Sequence, residues 1–532
     1  MQLSKFCQIA NIEYAKVIES LKENGCDVTN TSVIINFFNY QKLKQLKAIC
    51  EEVHDYRCNS GRFKHELSNI IFMTILAIIC MSKNLMQICE YIKSQYANFI
   101  DILYPLDEYP DRDEKEKFSE YRKGPSYTTL ERCLGDTEPD DLCKCFDLWR
   151  KSIGLDQSSE NKIKNYKIGS DLNMDIVVSS ISESTKIIEI RENDGSTEDN
   201  NLENSQVLDD QKNITNLNID PTHDSVHPNA VYPSNNIIQD EELTENAASS
   251  RENIKEVNHI ALDGKAIRGS ACPSQNKRPS IIVTAYNVDD GSILANEEVE
   301  VKTNEITANK NILGNINVEG LFFSWDALGT QRTLVDLVHN GGGFYVAQVK
   351  SNQKILEEVC SIRLGLYAPV PYLKIIEYNR DRIETREYFL TNNVLGMEEL
   401  NWSGLTSIGK VVKTTEKNGK KTTETHIYIT NFYDENLFVK ITRGHWGIEN
   451  KLHWVLDNIF NEDKCKCRKY NLPFNLNLFR KFAISFLNFG KKLLTDGAKS
   501  IENIGRILDR KPNIIEKICL GEKFSLREEF LK

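Results

Sequence analysis

Apolar positions along residues 1–155 follow a helical spacing, so we expect this region to be all-α. They recur every three to four positions in LKQLKAICEEVHDY and DDLCKCFDLWRKSIGL, the pattern of amphipathic helices. The most apolar stretch, LSNIIFMTILAIICMS at 67–82, is shorter than the roughly 20 residues that a membrane span needs. Polar residues also flank it closely. The pattern therefore favours a buried core helix over a transmembrane one.

The pattern changes at residues 156–257, where polar residues dominate. This segment is rich in Asn, Asp, Ser and Glu and poor in aromatics, so it buries too little apolar surface to offset the entropy of ordering. We interpret it as a largely disordered linker or insertion. Within it, MDIVVSSISESTKIIEI at 174–190 alternates as an ordered hairpin would.

From residue 258 onward the pattern predicts an α/β region. HIALD, SIIVTAYNVDD and SILANEEVEVK are strand-like, and a DDG turn joins the last two. EITANKNILGNI and TLVDLVHN then alternate as helices with the apolar strands LFFSWD and FYVAQVK. Three antiparallel strands followed by alternating helices and strands indicate a ribonuclease-H-like domain.

Residues 372–432 alternate like further β-structure and contain a KNGKK turn, which predicts a β-rich insertion in that domain. The expected organisation is thus a helical domain at 1–155, the linker at 156–257, the ribonuclease-H-like domain at 258–490 and a helical tail at 491–532.

Charge and cysteine content limit the function classes. The net charge of −11 excludes a uniformly positive surface, so any nucleic-acid binding depends on local basic patches. The fourteen cysteines are scattered and no apolar secretory segment precedes them, which favours reduced thiols. The C-x-C pairs Cys143/Cys145 and Cys465/Cys467 would each supply two of the four ligands of a zinc site. No second pair with finger spacing accompanies them, which favours core packing over zinc.

Three carboxylates have unusual settings. Asp263 in IALDGKAIRGS and Asp326 in LFFSWDALGTQ follow apolar, β-prone runs, and Glu449 lies in the helix-like RGHWGIENKLHWVLD. A fold that gathers them makes a Mg²⁺ site, because Mg²⁺ prefers hard oxygen ligands. A pair of such ions activates a hydroxyl nucleophile and stabilises the leaving oxygen of a phosphodiester.

Each carboxylate also has an ordinary interpretation. Asp263 precedes a glycine, as turn residues do, and Asp326 is placed to cap the following turn. Three further carboxylates compete with Glu449 for the third position: Asp457, Glu462 and Asp463.

The order of motifs resembles DDE transposases of bacterial insertion sequences, most closely the H-repeat-associated type. The resemblance covers most of residues 259–485 and is carried by IALDGKAIRGS, KTNEIT, SWDALGTQ, GGGFYVAQVKSNQ, RIETR, LTSIGKV and RGHWGIENKLHWVLDNIFNED. HDYRCNSGRFKHEL at 54–67 and GPSYTTLERCL at 124–134 resemble the helical domain that accompanies these transposases.

The chain departs from that family in two places. The family has a much shorter connection where this chain has residues 156–257. Many relatives also carry a Tyr-Arg-Glu-Lys signature around the last carboxylate, whereas here Arg443 stands six residues before Glu449 and no lysine follows at the usual position.

The resemblance implies a transposase that cleaves DNA at the element ends and joins them to target DNA. Asp263, Asp326 and Glu449 would hold two Mg²⁺ ions, with Mn²⁺ as a substitute. The implied partners are double-stranded DNA, as terminal inverted repeats and target, and a second copy of the chain in a synaptic complex, without a membrane. The implied location is the bacterial cytoplasm, on the nucleoid during reaction. Two alternatives stay open: a ribonuclease-H-like nuclease without strand transfer, and a catalytically silent DNA-binding derivative.

Basic and polar side chains near these motifs are candidate DNA contacts, since a Lys point charge and an Arg fork both suit phosphate oxygens. A solvated surface or simple packing is the alternative for each. KCKCRKY at 464–470, with Arg480 and Lys481, forms a basic segment interleaved with an aromatic residue. The candidates are Lys265, Arg268, Lys350, Asn352, Arg443, His445, Lys466, Arg468 and Lys469.

Overall fold

Eight ranges of the 532 residues are described by the computed structural model: 41–57, 65–104, 124–154, 186–191, 257–299, 304–379, 381–497 and 499–527. Most of the linker expected at 156–257 lies outside them, as does the first half of its expected hairpin. The second half of that hairpin contributes strand β1, Lys186–Arg191.

The N-terminal region is helical, as its periodicity predicts. Its helices are α1 Gln41–Glu51, α2 Leu67–Ile79, α3 Leu85–Gln95, α4 Ile100–Leu103, α5 Tyr127–Asp136 and α6 Pro139–Ser152. Asn84 and Ser126 cap α3 and α5 by accepting bonds from backbone N–H groups of the first turn. Every residue of α2 is buried, which confirms a core helix within the apolar run at 67–82. In the described ranges no helix is both long enough and apolar enough to cross a bilayer.

One ten-stranded sheet forms the centre of the molecule. After β1, its strands are β2 His259–Ile267, β3 Ser280–Asn287, β4 Ile293–Glu298, β5 Phe322–Trp325, β6 Phe344–Val349, β7 Leu373–Asn379, β8 Arg382–Thr391, β9 Ser407–Lys417 and β10 Lys420–Thr430. Their order across the sheet is β1-β7-β8-β9-β10-β6-β5-β2-β3-β4.

The order β4-β3-β2-β5-β6 confirms the ribonuclease-H-like part of the fold. β2, β3 and β4 are antiparallel, and β2, β5 and β6 are parallel. The β-rich insertion is confirmed as strands β7 to β10, which extend this sheet because β10 pairs with β6. Asn418 and Gly419 in the turn between β9 and β10 both have positive φ, as a tight two-residue hairpin turn requires.

Alternation along β2 separates two cores. Ile260 and Leu262 face a core that contains α7 Glu305–Asn315, α8 Arg332–Asn340 and α9 Lys354–Tyr367, whereas Ala261 and Ile267 face the opposite core. The opposite side is covered by α10 Glu435–Gly447 and α11 Leu472–Leu493. By this alternation Asp263 lies on the side of α10 and α11.

Helix α11 joins the two halves of the chain. It is buried almost continuously from Leu472 to Leu487 and contacts α2, α5 and α6. Two further helices follow, α12 Ile501–Arg510 and α13 Asn513–Cys519. The Glu516 carboxylate on α13 accepts bonds from the backbone N–H groups of Lys42 and Leu43 at the start of α1. The N-terminal and C-terminal helices therefore share one core.

Candidate functional site

Asp263 and Asp326 lie at neighbouring points on two adjacent strands. β2 and β5 are parallel, and Leu262 stands opposite Trp325. Asp263 and Asp326 each follow one member of that pair. The Asp326 carboxylate accepts a bond from the Gly329 N–H at 3.1 Å. The capping role that sequence offers as the ordinary interpretation is thus present together with the position beside Asp263.

Glu449 reaches the same region from a widened helix. α10 continues after Gly447 into π-helical turns at Ile448–His453 and Val455–Ile459. Such widened turns are rare and occur frequently at functional sites. Nδ1 of His453, one turn after Glu449, lies 3.5 Å from Oδ2 of Asp263. The helix that carries Glu449 therefore packs directly on the Asp263 strand.

Asp326 and Glu449 lie close enough to Asp263 to act on its carboxyl group electrostatically. Burial, together with the charges of Asp326, Glu449 and Glu305, raises the pKa of Asp263 to about 7, although a bond from the Gly264 N–H acts to lower it. Within the described ranges, neither Asp326 nor Glu449 forms a salt bridge. In the part of the chain that the structure describes, the carboxylates of Asp326 and Glu449 thus have no cation paired with them.

This donor chemistry fits a divalent cation. Hard carboxylate oxygens that repel one another are the ligands Mg²⁺ and Mn²⁺ prefer. The donors are not gathered into a finished coordination sphere, since no three His, Cys, Asp or Glu side chains of the described chain surround one point suited to a metal. All described cysteines, Cys465 and Cys467 among them, are free thiols.

Glu305 joins the site, although sequence reasoning passed over it inside the KTNEIT motif. It begins α7, which Asn304 caps by accepting from the Thr307 N–H. Its carboxylate packs against Gly264. A Cβ atom built on Gly264 would lie 2.7 Å from Glu305 Cδ. Burial raises the pKa of Glu305, and the charge of Asp326 adds to this. The sequence signal was an acidic first-turn residue after an Asn cap.

His445 lies at the end of a row of hydrogen-bonding side chains that begins at His259. Nε2 of His259 lies 2.6 Å from Oγ of Ser324, which lies 3.0 Å from Nδ1 of His445. Burial lowers the pKa of His445 to about 4, although Asp326 opposes this, and burial also lowers the pKa of His259. Both imidazoles are therefore neutral at pH 7. Sequence analysis missed His259 and Ser324, which look like ordinary strand residues.

Lys265 does not reach a surface on which a phosphate would lie. It is 9% exposed, and its Nζ lies 2.7 Å from Asp457 Oδ1, 3.3 Å from Glu462 Oε2 and 3.6 Å from Asp463 Oδ1. The three carboxylates that compete with Glu449 in the sequence are thus occupied by Lys265. We therefore leave Lys265 out of the proposed DNA surface.

Two basic residues that the sequence places with the KCKCRKY segment are buried. Arg480 and Lys481 are each 2% exposed, so the idea that they extend a basic surface patch was wrong. Arg480 binds Glu462, and Lys481 donates to Thr284 and Asn296. α11 is surrounded by other helices and the sheet, which leaves its charged residues inside.

The other candidates for DNA contact divide by their partners. Arg443 pairs with Glu377, and Asn352 donates to the Ala327 carbonyl at 2.7 Å, which holds the loop after Asp326. Lys469 pairs with Glu131. The exposed cations among the DNA-contact candidates are Arg268, Lys350, Lys466, Arg468 and Lys469.

We expect Asp263→Asn to stabilise the fold at pH 8 without divalent ions. An Asp in an unfolded chain titrates near pH 3.9, but burial and the nearby carboxylates raise the pKa of Asp263 to about 7 in the fold. The protonated form thus stabilises the fold below about pH 4, and this contribution is lost as the pH rises to 7. Urea unfolding in EDTA should show that the free energy of unfolding of the variant, relative to that of the parent, rises by on the order of 1–3 kcal/mol between pH 5 and pH 8. A gap that is independent of pH would contradict this.

Comparisons with known proteins match both halves of the chain. The transposase DDE domain matches residues 255–486, and the domain described as DDE_Tnp_1-associated matches residues 48–150. The "H repeat-associated putative transposase YhhI" of Escherichia coli (strain K12) is 28% identical over 244 residues, 44% of this chain and 64% of the relative. The "Putative transposase YncI" of Escherichia coli O157:H7 is 29% identical over 238 residues, 43% of this chain and 61% of the relative.

The aligned part of the chain thus spans slightly under two thirds of these relatives' own length. The two domain matches together cover more than half of this chain, in the order that its motifs follow. The chain belongs to the DDE transposase family.

Proposed function

We propose that the chain is a DNA transposase that cleaves the phosphodiester at element ends and joins the freed 3′-hydroxyl to target DNA. The observation that carries the proposal is the position of Asp263 and Asp326 after paired residues of two adjacent strands, with the helix that bears Glu449 packed on the Asp263 strand. DDE family membership supplies the reaction class. No covalent enzyme–DNA intermediate is required.

Asp263, Asp326 and Glu449 would hold the divalent ions, two Mg²⁺ with Mn²⁺ as a substitute. When bound, such ions lower the pKa of the attacking hydroxyl and stabilise charge on the leaving oxygen. Glu305 and the neutral His445 border the same space. Asn352 holds the loop after Asp326 through the Ala327 carbonyl. These residues place the ligands and shape the cleft for one backbone phosphate.

The exposed cations supply the DNA surface in this proposal. Arg268 follows the Asp263 strand, and its side chain is 80% exposed. Lys350 follows strand β6 directly before the Asn352 turn, and Lys466, Arg468 and Lys469 lie on the segment before α11. Since the chain has a net charge of −11, binding through these few residues should weaken steeply with salt. The location we propose for this activity is the bacterial cytoplasm, on nucleoid DNA.

The test is a strand-transfer assay with the full chain. A labelled duplex that carries the element's terminal repeat is incubated with a plasmid target in Mg²⁺ or Mn²⁺. Labelled DNA covalently joined to the plasmid is the expected product, and EDTA should abolish it. Cleavage without joining would favour the ribonuclease-H-like nuclease, and binding without cleavage would favour the silent DNA-binding derivative.

A further inference from the structure

Helix α9 carries two apolar faces, one of which faces solvent. Leu356, Cys360 and Leu364 are buried against the sheet. A second stripe, defined here as Ile355, Val359, Ile362 and Leu366, lies about 130° around the helix from that buried face. Ile355, Ile362 and Leu366 are 68%, 63% and 67% exposed. Val359 is partly buried and packs against the sheet core, so the exposed surface of the stripe is that of Ile355, Ile362 and Leu366.

The spacing of the α9 stripe identifies the kind of surface it fits. Its members are separated by four, three and four positions, which is the 3.5-residue repeat of a helix-to-helix seam. DNA offers no apolar partner for such a seam, because phosphate contacts need cations. A helix with the same repeat matches the stripe, and α9 of a second copy has that repeat.

We infer that α9 packs against α9 of a second copy of this chain, with the two helices parallel about a twofold axis. A twofold contact brings the same patch together on both copies, so the stripe needs to complement only itself. In parallel helix pairs, charged residues that flank the seam pair across it with residues five positions later. Glu358 and Arg363 occupy such flanking positions and are five residues apart.

Arg363 is already held in place for that contact. Its Nη1 donates to Asn393 Oδ1 at 2.8 Å, and its Nη2 donates to the Leu395 carbonyl. Leu395 itself is 80% exposed and adds apolar surface beside the stripe. Glu358 is 62% exposed, with Lys354 as its neighbour at 3.9 Å. The dimer would therefore contain two pairs between Glu358 of one copy and Arg363 of the other, one on each side of the seam.

The size of the patch predicts a modest affinity. Stable interfaces bury about 800 Å² on each partner, and one helix face with Leu395 supplies on the order of half of that area. We therefore expect dissociation constants around the micromolar range. Such a dimer forms at the concentrations of a sedimentation experiment.

The parallel arrangement also has a consequence for the reaction, and this step rests on the proposed function. α9 starts directly after the Ser351–Gln353 turn, in which Asn352 contacts the loop beside Asp326. The start of α9 therefore lies at the carboxylate edge of the sheet. A parallel pair places both carboxylate sites at the same end of the dimer, where two DNA ends could be held side by side.

Sedimentation velocity of the full chain, without DNA or metal, tests the contact. We expect a reversible dimer, and Ile362→Glu should weaken it by at least about a hundredfold, because two apolar side chains per dimer are replaced by charges. Ile362 is mostly exposed, so its substitution leaves the core intact. Ser361→Glu is the matched control, since it adds the same charge to an exposed position on another side of α9. It should leave the dimer unchanged.

Cross-linking tests the orientation. In a parallel pair residue 355 of one chain faces residue 355 of the second chain. Ile355→Cys should therefore give disulfide-linked dimers under mild oxidation, and so should Leu366→Cys. In an antiparallel pair residue 355 faces residue 366, and the two copies of 355 lie about 16 Å apart, beyond disulfide reach. Ser361→Cys is the negative control. Linked dimers from neither variant would overturn the parallel arrangement.

Two further results would overturn the inference. A wild-type chain that is monomeric at all concentrations but dimerises when residues 192–256 are deleted would show that this segment covers the stripe. A dimer that Ile362→Glu leaves intact would place the interface elsewhere. Asp263→Asn should still dimerise, so loss of strand transfer and loss of the dimer are separate outcomes.

Discussion

Asp263→Asn, Asp326→Asn and Glu449→Gln should each lower cleavage of a terminal-repeat duplex by about a thousandfold or more, because ion-held groups that stabilise transition-state charge act together. Each change keeps the size of the side chain and removes the charge that holds a hard cation. Under the proposed function, DNA binding depends on phosphate contacts elsewhere, so a gel-shift measurement on the same preparations should show retained or slightly tighter binding.

Glu435→Gln is the matched control for these variants. It makes the same chemical change on the same helix as Glu449, at an exposed position in the first turn of α10. Its cleavage rate should equal that of the parent. If Glu449→Gln cleaves as fast as Glu435→Gln, the third carboxylate is assigned to the wrong residue. If all four variants match the parent, the proposed metal site is wrong.

Local sequence signals predicted most of the sheet. The alternating and apolar runs from 259 to 350 gave the strands and helices in order, because each element is set by its own periodicity and by turns such as DDG. The KNGKK turn likewise marked the β9–β10 hairpin. What periodicity could not show is that β10 would pair with β6 and extend the sheet, since that pairing depends on residues about 80 positions apart.

The site was less accessible to sequence reasoning than the sheet. Asp263 and Asp326 follow recognisable strands, but Glu305 reaches them only because α7 packs over Gly264, which has no side chain to exclude it. The π-helical turns at Glu449 also leave no clear signal in the residues. Lys265 looked free for phosphate because the sequence gives no sign that Asp457, Glu462 and Asp463 fold back onto it.

Glu462 illustrates the same limit, since it competed with Glu449 as a catalytic carboxylate. The structure buries it completely. Oε1 accepts from Asn477 at 2.9 Å and Arg480 at 3.2 Å, while Oε2 lies 3.3 Å from Lys265. Burial raises the pKa of Glu462, but the charges of Arg480 and Lys265 outweigh burial and hold it below its ordinary value.

Through these contacts Glu462 ties the Asp263 strand to α11. Arg480 in turn donates to the Lys83 carbonyl in the N-terminal helical region. The network therefore joins the carboxylate site to both halves of the molecule. A change at Glu462 should act on stability first and on the reaction only through it.

Glu462→Gln should destabilise the fold by about 3–5 kcal/mol at pH 7, because it leaves Lys265 and Arg480 buried with less opposing charge. Urea unfolding followed by circular dichroism measures this, and Glu435→Gln is the control that should change little. A carboxyl group whose pKa is lowered by folding stabilises the fold at pH values above its pKa in the unfolded chain. The loss of folding free energy in the variant should therefore shrink as the pH falls below about 4. Lys265→Met combined with Glu462→Gln should cost less than the sum of the single changes, since the pair interacts directly. Additive losses, or a Glu462→Gln chain as stable as the parent, would show that the buried network does not hold these elements together.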